Sequence, residues 1–144
     1  MGRADEAVAR FRGEFNCAQA VFSTFAPELG LAREVALWVA GAFGGGMGRS
    51  GATCGAVTGA LMAIGLKYGK CRPGDDAARE RTYALAGDFL RRFQARRGST
   101  LCRELLGYDT GTPAGRQAAR EAGLYETLCP QLVRDAVEIV EALL

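Results

Sequence analysis

No histidine occurs among the 144 residues of this chain, and that absence removes every mechanism that needs an imidazole. Serine–histidine and cysteine–histidine hydrolysis, histidine-ligated zinc, histidine acid–base catalysis and haem attachment through Cys-x-x-Cys-His are all excluded. No two of the five cysteines stand in Cys-x-x-Cys spacing, so neither a thioredoxin-type motif nor a zinc-ribbon knuckle is present. No apolar run approaches the roughly 18 residues of a membrane span. Neither sign of charge dominates: 18 basic and 16 acidic residues leave a formal net charge of +2, with no electrostatic footprint for nucleic acid. Met1 to Gly13 mixes charges with alanines and lacks the apolar core of a secretory signal. The expectation is a cytoplasmic protein with neither a membrane nor a nucleic acid as partner.

What is present suits one domain spanning residues 1–144, with 49% hydrophobic content and enough length to bury a core. Apolar residues recur at helical spacing throughout, and no strand alternation stands out. The predicted fold is all-α, a single compact domain of about seven helices. The first covers Ala4 to Arg12 with Ala7, Val8 and Phe11 inward. A second carries Cys17 and ends by Pro27 and Gly30. The third, Ala32 to Ala42, presents Val35, Trp38, Val39 and Ala42 to the core. After the glycine run 44–51 comes a helix from Cys54 to Tyr68, where Gly59 and Gly65 suggest that something packs very close. A long helix from Asp75 to Arg97 has Tyr83, Leu85, Phe89, Leu90 and Phe93 as its apolar face. Its basic cluster Arg91, Arg92, Arg96 and Arg97 reads as a solvated face near a helix C-terminus. A short helix to Leu106, one from Pro113 to Ala122 and a last one from Pro130 complete the chain.

Four of the five cysteines fall where a helix begins. Cys17 follows Asn16, a good N-cap; Cys54 follows the glycines and Thr53; Cys102 follows Ser99 and Thr100; Cys129 precedes Pro130, a residue favoured at helix starts. At such positions unpaired N–H groups and the helix dipole stabilise a thiolate, the reactive and metal-binding form of cysteine. Free cysteine is also a common buried residue, but four placements of five are harder to assign to packing. Cys71 falls after a helix, in Lys70-Cys71-Arg72-Pro73-Gly74, and stands apart.

Gly46-Met47-Gly48-Arg49-Ser50-Gly51 formally matches the dinucleotide fingerprint G-x-G-x-x-G. That fingerprint needs a second parallel strand after its helix, and Lys70 to Asp76 is no strand. A Walker A loop is excluded because no Lys-Ser or Lys-Thr pair follows the glycines. What remains is a backbone stretch able to approach a cofactor and to offer N–H groups to sulfur or an anion.

The series Asn16-Cys17-Ala18-Gln19-Ala20-Val21, the run Gly44 to Gly48, Thr53-Cys54-Gly55-Ala56-Val57-Thr58-Gly59-Ala60, then Leu101-Cys102 and Leu128-Cys129-Pro130 resembles the C_GCAxxG_C_C family of redox-active proteins. The central element reads Cys54-Gly55-Ala56-x-x-Gly59 here, with cysteine before glycine. The family's cysteines match Cys17, Cys54, Cys102 and Cys129; Cys71 has no counterpart. The resemblance implies redox activity or metal binding in an electron-transfer setting, with a redox partner protein.

Four thiolates suit an iron–sulfur cluster or a tetrahedral zinc or iron site. The backbone at Gly51, Thr53 and Gly55 is then the expected cofactor-facing segment. Metal-free thiol–disulfide exchange, with Cys54 as nucleophile, is the alternative, and a metal-stapled interaction module a third. Whether catalysis occurs is left open, and glycine-lined faces are compatible with a homodimer.

Overall fold

The computed structural model describes residues 1–144 and contains nine α-helices. They are α1 (Arg3–Arg12), α2 (Cys17–Phe25), α3 (Arg33–Val39), α4 (Gly55–Tyr68), α5 (Asp76–Arg97), α6 (Cys102–Leu106), α7 (Pro113–Glu121), α8 (Leu124–Thr127) and α9 (Cys129–Leu143). Short 3-10 turns follow α2 at Pro27–Leu29 and α3 at Gly41–Phe43. No strand forms; one isolated bridge joins Thr53 to Leu101. The fold is all-α, and no helix is long and apolar enough to cross a membrane.

One hydrophobic core collects the inward stripes of these helices. In α9 the buried residues Leu132, Val133, Ala136, Val137 and Val140 repeat at helical period, so one face of that helix is lost to water. From α2 come Val21, Phe22 and Phe25, and from α4 Val57, Ala60 and Ile64. Phe89 and Phe93 of α5 stack with ring centroids 6.0 Å apart and are fully buried.

The tightest packing lies between α2 and α4. A Cβ on Gly59 would stand 2.7 Å from the Ala18 carbonyl oxygen and 3.1 Å from Val21 Cβ; one on Gly55 would stand 2.9 Å from the Ala18 nitrogen and 3.0 Å from Cys17 Cβ. Gly59 therefore does what its cost in helix propensity suggests. Gly65 does not: nothing lies within 4 Å of where its Cβ would be.

Three expectations about buried faces need correcting. In α3 the buried residues are Ala36 and Ala40, while Trp38 and Val39 are 72% and 54% exposed. The helix is only two turns long and seats its small face on α2, where Gln19 Nε2 donates to the Leu37 carbonyl at 3.0 Å. The 3-10 turn at Gly41 then redirects the chain, leaving Ala42 exposed as well. In α5 the stripe is narrower than the apolar residues suggest: Tyr83 is 66% exposed and only Phe89 and Phe93 are fully inside. The basic cluster of α5 is a solvated face, with Arg92 bonded to Asp88 at 3.1 Å and Arg96 and Arg97 gripping Asp135 of α9 at 3.2 and 2.5 Å.

These glycine environments predict opposite effects for one substitution. Gly59→Ala forces backbone apart and should destabilise by about 1–3 kcal/mol, the usual cost of overpacking. Gly65→Ala fills open space in a helix and should stabilise by up to about 1 kcal/mol. Denaturant unfolding of both variants checks the pair, and equal shifts of the same sign would contradict the packing described here.

Candidate functional site

Each of the four cysteines is placed by an element whose local chemistry can be read. Asn16 caps α2 reciprocally with Gln19: the Gln19 N–H donates to Asn16 Oδ1 at 2.8 Å and the Asn16 N–H to Gln19 Oε1 at 3.0 Å. Asn16 Nδ2 also donates to the Gly41 carbonyl at 3.2 Å, tying the start of α2 to the glycine run and leaving Cys17 as the first residue of the helix. Cys54 is itself the N-cap of α4 rather than its first residue. Cys102 opens α6, after Ser99 Oγ has accepted the Leu101 N–H at 3.0 Å. Cys129 opens α9 one residue earlier than Pro130 suggests, so the proline takes the second position.

Backbone pairing aligns two of them. The Cys54 N–H donates to the Thr100 carbonyl at 2.8 Å, and the Cys102 N–H donates to the Ala52 carbonyl at 2.7 Å. The two thiol-bearing residues flank the Thr53–Leu101 bridge.

Cys17, Cys54, Cys102 and Cys129 all line one cavity of about 780 Å³. Cys71 does not line it and is exposed, and all five thiols are free. Gly55 lines the cavity, whereas Gly51 and Thr53 do not. Thr53 is held in the bridge to Leu101, and the Gly51 carbonyl accepts the Arg103 N–H at 3.2 Å. The cavity-facing glycines come earlier, at Gly44, Gly45, Gly46 and Gly48. Gly46 presses on the site directly, since a Cβ there would lie 2.7 Å from Cys102 Cβ. Residues 45–49 all have positive φ, including Met47 and Arg49. No strand precedes this turn, which rules out a Rossmann arrangement.

The sulfurs differ in character. The neighbouring Cys129 and Cys54 sulfurs, and then burial, push the Cys17 thiol well above its ordinary pKa. Cys54 is shifted down, first by the neighbouring Cys17 thiol. The Ala56 and Val57 N–H groups of the first turn of α4 act in the same direction, although neither closes to a regular capping bond. Burial raises Cys102, with partial relief from the Thr110 hydroxyl, which donates to its sulfur at 3.5 Å. Thus a thiol stands beside a sulfur favoured as thiolate.

Four thiols are the donor chemistry of an iron–sulfur cluster, zinc or iron. Around one zinc ion, Zn–S bonds of about 2.3 Å would bring tetrahedral sulfurs to about 3.8 Å of one another. No three Cys, Asp or Glu side chains are drawn into such a group, so the donor set fits by chemistry and the spacing does not describe a preformed single-ion site.

Reasoning from sequence missed Thr110, Tyr125 and three cavity-lining arginines, Arg49, Arg116 and Arg120. The spacing of Arg116 and Arg120 was the available clue, as residues four apart share a helix face.

An all-helical bundle that directs four free thiols into one cavity defines a cysteine-centred protein of redox type. The chain belongs to the family described as Putative redox-active protein (C_GCAxxG_C_C), whose profile matches residues 15–143. Searches of curated proteins and of solved structures gave no match.

The relation between Cys17 and Cys54 is testable in metal-free protein carrying Cys71→Ser. Cys54 should alkylate with a midpoint below that of an ordinary thiol and Cys17 with a midpoint above it. Replacing Cys17 by alanine removes the first cause of the Cys54 shift and should move the Cys54 midpoint upward. Residue-resolved mass spectrometry across pH reads this, and an unmoved midpoint would refute the pairing.

Proposed function

We propose that this chain is a redox protein in which Cys17, Cys54, Cys102 and Cys129 hold an iron–sulfur cluster and pass electrons to and from a partner protein. The observation that carries this reading is that four separate helix starts deliver four thiols to one cavity. A two-cysteine mechanism accounts for only half of that arrangement. Bound there, a cluster supplies a redox couple whose potential depends on net charge, hydrogen bonds to sulfur and exposure.

The chain's own groups bear on each of those quantities. First-turn N–H groups favour thiolate over thiol, most directly at Cys54. The Thr110 hydroxyl donates to Cys102, a bond that favours its ionised form and would persist toward a ligating sulfur. The glycines of the turn line the same cavity, and their N–H groups, which have no backbone acceptor, can donate to sulfur. Apolar side chains such as Phe11, Leu106 and Leu132 exclude part of the solvent.

A second reading has its own support in the pairing of a raised Cys17 thiol with a lowered Cys54 thiol on one cavity. In that reading the Cys54 thiolate and the Cys17 thiol form a disulfide, releasing two electrons to an oxidised partner, with the Cys17 proton going to solvent. Its mark is a working protein without metal.

Protein purified without oxygen should be brown and contain iron with matching acid-labile sulfide. Serine at Cys17, Cys54, Cys102 or Cys129 should lower both contents severalfold, while Cys71→Ser should leave them unchanged. A colourless protein with zinc would point to a structural metal. Metal-free protein that loses two thiols on mild oxidation would replace the cluster by the disulfide pair.

A further inference from the structure

The cavity holds more than its sulfurs require. Its volume of about 780 Å³ falls within the range of small-molecule sites, about 300–1,000 Å³. Three arginines line it, Arg49, Arg116 and Arg120, against one acidic residue, Glu126. Arg116 and Arg120 lie one turn apart on α7, and Arg49 lies in the left-handed glycine turn. Arg116 Nη1 donates to the Arg49 carbonyl at 3.3 Å and to the Thr110 carbonyl at 3.1 Å, which fixes α7 against that turn. Arg120 Nη1 donates to Gln117 Oε1 at 2.7 Å.

None of the three is in an ion pair. The glycine turn adds further donors, because the N–H groups of Gly44, Gly45, Gly46 and Gly48 have no protein acceptor. Successive free N–H groups of this kind make anion-binding concavities, and an arginine fork matches an oxyanion geometrically.

The same cavity thus carries four cysteines, three arginines and Tyr125.

We propose that Arg49, Arg116 and Arg120 bind the oxyanion, carboxylate or phosphate, of a small organic molecule whose apolar body lies along Phe11, Leu105 and Leu132 in the cavity that the four cysteines share. This deepens the redox reading by giving its substrate class, and rests on that reading only for what the sulfurs do to the bound molecule.

Titration calorimetry with phenyl phosphate, benzoate and neutral benzyl alcohol tests it, on wild-type protein whose iron and sulfide are measured in the same sample. At least one anion should bind, more tightly than benzyl alcohol and less tightly as salt rises; which anion binds decides between phosphate and carboxylate. Arg120→Gln and Arg49→Gln, each on an exposed residue, should weaken that binding about tenfold or more, with folding checked by circular dichroism. Absence of binding by both anions, equal binding of benzyl alcohol, or unchanged affinity in both variants would overturn the proposal. Anion binding by protein free of iron would overturn the cluster reading alone, and iron without anion binding would overturn this one alone.

Discussion

The close approach of α2 and α4 is the constraint on which the site depends. Two helices normally pack about 8–10 Å apart, at a distance set by the side chains between them. Here Gly55 and Gly59 put no side chain into the seam, and the backbone of Ala18 fills the space that a Cβ would need. Cys17 and Cys54 sit at the starts of these two helices, so the seam that packs the core also sets the separation of the two sulfurs. A shift of that seam would move the raised Cys17 thiol relative to the lowered Cys54 thiol. Glycine at these positions costs about 1 kcal/mol each in helix propensity, and the contact it permits supplies the compensation.

Cys102 is coupled to this pair through backbone rather than packing. The hydrogen bonds made by the Cys54 and Cys102 N–H groups cross between the two chain segments. Neither residue can move without breaking a bond to the other's segment. Cys129 is anchored differently, at the head of a helix whose buried stripe runs through the core. Thus the pair, the backbone crossing and the α9 stripe hold the sulfurs from three directions, as a rigid site requires. Cys71, in the connection between α4 and α5, shares none of these anchors.

Features set by neighbouring residues were the legible ones. The helix starts could be read because caps and prolines act within three or four positions: Asn16 before Cys17 and Pro130 after Cys129 are local grammar. The Gly59 contact was also inferable, since an exposed helix gains nothing from glycine. Trp38 and Tyr83 were misread because periodicity says which residues share a face and not how wide a neighbour covers it. Only Ala36 and Ala40 of α3 find such a neighbour. The Thr53–Leu101 bridge joins residues 48 positions apart, and no local pattern encodes it. The arginines of the cavity escaped for the same reason, since α7 meets the glycine turn only in the tertiary fold.

The left-handed turn at 45–49 holds the glycine run against the cavity. An L-residue in that conformation costs roughly 1–2 kcal/mol, and the turn carries two, Met47 and Arg49. Steric need explains the glycines at 45 and 46: a Cβ on Gly45 would meet Arg49 Cα at 2.9 Å, and one on Gly46 would meet the Ala52 nitrogen at 2.7 Å. Nothing steric requires a side chain at 49, where glycine would relieve the strain. The long-range bonds from Gly51 N–H to the Gly45 carbonyl at 3.1 Å and from Ala52 N–H to the Gly46 carbonyl at 2.9 Å keep the turn closed despite that cost. Closure in turn leaves the N–H groups of these cavity-lining glycines without acceptors. Strain held at such a place is characteristic of ligand clamps and active sites, and here it keeps a guanidinium and a row of bare N–H groups on the cavity that the four sulfurs share.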